Sequence, residues 1–204
     1  MHFMTRIWLG LFVAAVLGAP AAAHHPMGGA TPSTAFEGLV SGLAHPVIGL
    51  DHLAFLIGVG LLAARYRNGA WLPFAFLTGS ALGSAFQLSG AGIPGVEMVV
   101  VISILIVAAA LLSQRPINQT AAVTCFALAG IFHGYALAEP VVQAGFTPVI
   151  AYLIGLVVIQ CLISIGLMLL YRRACAYRPN AASLAQIAVA SAALAIGTIS
   201  LLQL

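Results

Sequence analysis

Six apolar runs, at about 46–64, 71–88, 95–113, 119–138, 147–171 and 181–203, are joined by connectors as short as RYRNGA, SGAGIPG and SQRPINQ. A helix crossing the hydrocarbon core of a bilayer needs roughly 20 apolar residues, and each run approaches that length. Backbone polar groups have no water to bond in lipid, so segments of this kind fold as helices. Short connectors make consecutive helices antiparallel neighbours in one bundle. The pattern predicts an all-α integral membrane protein whose six-helix transmembrane domain occupies 45–204.

Composition narrows the function classes. The chain is 62% hydrophobic and 5% charged, with mean hydropathy +1.12, a balance that suits lipid as solvent. Its formal charge of +3 comes from seven arginines and no lysine, scattered between the apolar runs. No basic patch exists for nucleic acid. Cys125, Cys161 and Cys175 have no C-x-x-C spacing and suggest no disulfide framework.

Residues 1–23 read as a cleaved signal peptide, with Arg6, the apolar core IWLGLFVAAVLG, and APAAA before His24. The competing reading, a retained first transmembrane helix, asks ~12 apolar residues to do the work of ~20. Cleavage leaves 24–44 as an outer N-terminal segment that begins His24-His25. Arginines fall in the first, third and fifth connectors (Arg65 and Arg67, Arg115, and Arg172, Arg173 and Arg178), which marks those connectors as cytoplasmic. Both termini of the mature chain are then expected outside a bacterial inner membrane. Three spans plus three would permit an inverted repeat, but the halves have no convincing sequence match.

In this orientation His45, Asp51, His52, Glu97, His133 and Glu139 converge on the outer half. His52 and His133 fall on the order of 10 Å below the outer boundary. Ionisable groups at such depth cost at least ~2.5 to 3.5 kcal/mol, so they normally face a cavity and mark an ion or proton path. Their competing role is structural, with Asp51 and His52 paired to Gln87 or Tyr135. His45 and His52 lie seven apart, roughly 10 Å along a straight helix. Pro46 is expected to put His45 outside the helix, folded over its mouth, while Gly49 thins the face between the histidines.

Imidazoles with carboxylates suit a borderline divalent ion such as nickel, cobalt, copper, zinc or iron, whereas magnesium and calcium prefer oxygen alone. Asp51 would offset the partial positive charge of the helix start, as a ligand or by orienting an imidazole. His24 and His25 would add an outer capture site. The candidate metal residues are therefore His45, Asp51, His52, His133, Glu139, Glu97, His24 and His25. No G-x-S-x-G, H-E-x-x-H or G-x-x-x-x-G-K-[ST] pattern is present, so neither an enzyme nor a tightly bound cofactor is expected.

The stretch HPVIGLDHLAFLIGVGLLAARY, with IPGVE at 93–97 and FHGYALAE at 132–139, resembles the HupE/UreJ family of membrane proteins. The resemblance covers nearly the whole length, including a signal peptide that ends before histidine. It implies a nickel or cobalt permease encoded with hydrogenase and urease systems, the metal being substrate rather than cofactor. Metal-handling roles for His45, Asp51, His52, His133 and Glu139 follow from the motif. HPVIGLDH is also similar to the His-x-x-x-x-Asp-His pattern of larger nickel/cobalt transporters, with five intervening residues here instead of four. Two positions depart from the family: Leu137, where a further polar residue is common, and Phe55, where many relatives have methionine. The expected partners are a divalent metal ion, the lipid bilayer and hydrogenase or urease maturation proteins. The alternative function is a non-transporting accessory scaffold or metal sensor that docks maturation proteins through its arginine loops.

Overall fold

The computed structural model describes residues 30–204 apart from 114 and 116. The expected signal peptide and the candidate ligands His24 and His25 lie outside the described residues. Among those residues the chain is helical throughout, without strands. Seven helices follow one another: α1 Ala35–Ile48, α2 Leu50–Ala63, α3 Trp71–Leu88, α4 Val96–Leu112, α5 Gln119–Ala138, α6 Phe146–Tyr177 and α7 Pro179–Leu202. A 3-10 turn, Glu139–Val141, follows α5. α5 with that turn, α6 and α7 are long and apolar enough to cross a membrane, and the α1–α2 pair makes a fourth candidate if counted as one bent span.

The first apolar run is where the structure departs most from expectation. It is not one helix from 46 to 64 but the end of α1 and all of α2, bent by 78° at Gly49. α1 starts well before the run because Thr34 and Glu37 form a capping box: Thr34 Oγ1 accepts from the Glu37 N–H at 3.2 Å, and Glu37 Oε2 accepts from the Thr34 N–H at 3.2 Å. The expected outer segment 24–44 thus contributes most of α1. Pro46 does not open a helix; it sits inside the last turn of α1, and His45 is helical. The break comes three residues later, where Gly49 takes an extended conformation (φ −70°, ψ 99°) and caps both helices. Proline's missing donor and its steric clash act on the turn before it, which here stays helical, so the break belongs to Gly49.

α6 is also longer than expected. The connector RRACAY continues the helix to Tyr177, leaving Arg178 alone between α6 and α7. Arg and Ala favour helix, and long cationic side chains reach water from a helix end.

Helix contacts organise the bundle in two glycine-mediated pairs. A Cβ on Gly79 would lie 2.1 Å from Ala127 O, and one on Gly83 1.9 Å from Ile131 O. Advancing four residues on α3 advances four on α5, so these two helices are parallel and in backbone contact. The same test makes α1 and α6 parallel, since Gly38 meets Pro148 O and Gly42 meets Tyr152 O. Close approach through small residues is how helices associate in lipid. Between the pairs, α2 forms the centre: Phe55, Leu56, Val59 and Ala63 are almost wholly buried. The outward faces carry Leu82, Ile106, Leu162, Leu170 and Leu184, all exposed.

The arginine connectors share one end of this bundle. Arg65 donates to Ala110 O (2.9 Å), Leu111 O (2.6 Å) and Ser113 O (3.2 Å), satisfying carbonyls at the end of α4. Arg172 donates to Tyr66 O and Arg67 O.

Candidate functional site

The bend at Gly49 brings His45 back beside His52. Their ring centroids are 6.1 Å apart, and His52 is 5.2 Å from His133 on α5. All three rings are buried. Glycine leaves room at the hinge, because a Cβ there would lie 3.0 Å from His52 Cδ2 and 3.2 Å from Asp51 Oδ1 and the side chains would have to give.

For neutral rings the hydrogen bonds are satisfied by one set of tautomers. Ser103 Oγ donates to Val100 O at 2.6 Å, so at 2.8 Å it accepts from His133 Nε2–H. His133 then carries its lone pair on Nδ1, and His52 Nδ1–H donates to it across 3.1 Å. Tyr152 Oη donates to Leu137 O and therefore accepts from His45 Nδ1–H at 2.8 Å. That places the His45 lone pair on Nε2. α1, α2 and α5 each supply an imidazole, and α4 and α6 supply the hydroxyls that orient two of them, the arrangement metal-ligating histidines usually need.

Asp51 is half-buried in the first turn of α2, where its Oδ1 accepts the His52 N–H at 2.8 Å. A carboxylate there complements the partial positive charge of the helix start. Glu97 and Glu139 stand apart. Both are exposed, at the start of α4 and in the 3-10 turn, and neither bonds the imidazoles. Among the described residues no three His, Cys, Asp or Glu side chains already enclose an ion-sized position.

The inner wall of the cluster is aromatic. Phe55 stacks on His133 at a centroid distance of 4.1 Å, Phe76 lies 5.8 Å from the same ring, and Phe55 contacts both Phe76 and Phe126. Sequence reasoning singled out Phe55 but missed Ser103 and Tyr152. The competing structural role pairs Asp51 and His52 with Gln87 or Tyr135, whereas the Tyr135 hydroxyl donates to Ala91 O and accepts from the Ile93 N–H, holding the α3–α4 connector. Ser103 and Tyr152 carried one weak signal, a hydroxyl inside an otherwise apolar helix.

A model of the HupE / UreJ protein family matches residues 11–198, a span containing every candidate residue. The chain belongs to the HupE/UreJ family. Protein HupE of Rhizobium leguminosarum bv. viciae is 28% identical over 123 residues, which cover 59% of this chain and 62% of that protein. The match thus spans less than two thirds of that relative's length. No solved structure matches.

In this HupE/UreJ protein the Tyr152 hydroxyl is the link between His45 and the end of α5. Tyr152→Phe leaves Leu137 O and the His45 N–H buried without that partner, at a cost of about 1 to 3 kcal/mol. The expected result is a lowered thermal midpoint in detergent, with little further loss when His45→Ala is added, because the two changes remove the same contact. Additive losses would show that the hydroxyl and the imidazole act separately.

Proposed function

We propose that this HupE/UreJ protein carries a divalent transition-metal ion, Ni2+ or Co2+, inward across a bacterial inner membrane to supply a metalloenzyme such as hydrogenase or urease. The metal is cargo, and no tightly bound cofactor takes part. The reading is carried by the His52–His133 pair. Two nitrogens on adjacent positions of one ion, each ~2.0 to 2.1 Å from it, lie roughly 3.0 to 3.4 Å apart, depending on geometry. The two Nδ1 atoms are 3.1 Å apart. An ion entering between them, with the His52 proton carried on Nε2 instead of Nδ1, replaces one hydrogen bond and gains two ligands, with His45 and Asp51 beside it to complete the set. Glu97 and Glu139, exposed beyond the cluster, would attract the cation, as would His24 and His25.

The topology proposed with this function is six crossings, with α1 and α2 sharing the first and both termini of the processed chain outside. The helix directions support it. α3 and α5 run parallel, as do α1 and α6, while α4 and α7 are antiparallel, since Gly197 meets Leu105 and Gln186 donates to Leu111 O. The arginine end is then cytoplasmic. A broken first span with its candidate ligands at the break resembles the discontinuous helices that line transporter sites. The accessory-scaffold reading needs a cytoplasmic docking surface, yet Arg65 and Arg172 are engaged with backbone carbonyls of the protein itself.

Nickel-63 uptake into liposomes of the purified protein tests the proposal. Saturable uptake that cobalt competes away better than zinc or copper is the expected result. Absence of uptake by folded, correctly inserted protein would remove the transport reading.

A further inference from the structure

Gln160 sits on α6 with its side chain completely buried, and Ser80 and Ser164 are buried with it. Its Nε2 donates to Ser80 Oγ at 3.1 Å, and Ser164 Oγ donates to the Gln160 backbone carbonyl at 2.6 Å. Gln160 Oε1 has no hydrogen-bonding partner among the described residues. Rotating the amide does not cure this: Oε1 would then accept from Ser80, and the NH2 group would lose its acceptor. A buried polar atom left unmatched is costly, and packing alone would favour leucine here.

The position of Gln160 gives the orphaned oxygen a use. Tyr152, Leu156, Gln160, Ser164 and Met168 recur at four-residue steps and are all buried, forming one inward stripe of α6. The stripe begins at the histidine cluster, where Tyr152 bonds His45, and sixteen residues further on it has advanced roughly 24 Å along the helix axis. Four of its five members offer a hydroxyl, an amide or a thioether. Gln160 comes two turns, about 12 Å, inward of Tyr152.

We propose that Gln160 Oε1 is a second ion station on the transport path, receiving the partly hydrated divalent cation after it leaves the imidazoles. This inference depends on the transport reading for its direction, though not for its test of binding. Neutral oxygens suit such a station. A path needs sites attractive enough to enter and weak enough to leave, and a buried carboxylate would hold a dication too firmly.

Two arms separate this station from the transport reading. In full-length protein with Cys125, Cys161 and Cys175 replaced by serine, Gln160→Cys is exposed to a small cationic methanethiosulfonate in the presence and absence of Ni2+. Labelling slowed about tenfold by Ni2+ supports an ion-accessible position, while an inert thiol, or one that Ni2+ does not protect, overturns the station. In the second arm, Gln160→Leu and Gln160→Asn are compared with unmodified protein for liposome flux and for equilibrium Ni2+ binding. The station requires flux to fall about tenfold in Gln160→Leu, with partial retention in Gln160→Asn and binding at the histidines unchanged. Undiminished flux in Gln160→Leu overturns it. If Ni2+ protects the thiol of the Gln160→Cys variant and binds the unmodified protein, but the unmodified protein moves no ion, the transport reading fails and the station stands as a binding site.

Discussion

Alanine at His52 or at His133 will lower nickel uptake by about 100-fold or more, and the double variant will be no worse than either single one. The expectation comes from the distance between the rings. Their Nδ1 atoms lie 3.1 Å apart, so each ring makes sense as a ligand only with the other present. Removing one leaves the other without the nitrogen 3.1 Å away that would share the ion, and removing the second takes away nothing that was still working. Ser103→Ala is the internal control: it touches no ligand nitrogen, but it frees His133 Nε2 from the hydroxyl that orients the ring. A loss of about 10-fold, smaller than either histidine variant, is expected for an orienting group. Multiplying losses in the double variant, with equilibrium binding halved rather than abolished in each single one, would mean two independent sites and would sink the paired-ligand geometry.

The sequence made much of this site legible, and the reasons differ residue by residue. His52 and His133 stood out because an imidazole deep in an apolar run is expensive wherever it points, so depth alone brought them to one level. The contact between His45 and His52 was legible only as a difficulty: seven residues of straight helix separate them too far. That a bend was required could be read, but its position could not. Pro46 drew attention as the stronger breaker, whereas the chain yields at Gly49, where a residue without a side chain leaves room for the His52 ring and the Asp51 carboxylate.

The start of α1 was legible in principle. Thr34 to Glu37 is a capping box in plain sequence, but it lies in a stretch whose Gly, Pro, Ser and Thr content reads as an outer tail. Helix pairing was hidden for a different reason. Short connectors suggest antiparallel neighbours, while the tightest contacts here join parallel helices that are not consecutive, α3 with α5 and α1 with α6. Small residues announce close approach without naming the partner.

Gly42→Ala, a single methyl on a residue that is itself no candidate ligand, will destabilise the protein by about 3 kcal/mol. The added Cβ would lie 2.1 Å from Tyr152 O, 2.9 Å from its carbonyl carbon and 3.0 Å from the Leu156 amide nitrogen. All three are backbone atoms of a helix, which cannot yield by changing a rotamer, so α1 has to move away from α6. His45 is three residues further along α1, and its bond to Tyr152 crosses that same interface. The displacement therefore reaches the candidate site, and Ni2+ affinity is expected to weaken about tenfold although His52 and His133 are untouched. Gly166→Ala on α6 is the matched control, because nothing lies within 4 Å of its added Cβ. There the change removes a flexible residue from a helix and should stabilise by up to about 1 kcal/mol. Thermal unfolding in detergent, with Ni2+ binding measured on the same samples, separates the two. If Gly42→Ala melted with the unmodified protein and bound the ion equally well, α1 would not be held against α6 by backbone contact, and His45 would owe its place beside His52 to the Gly49 bend alone.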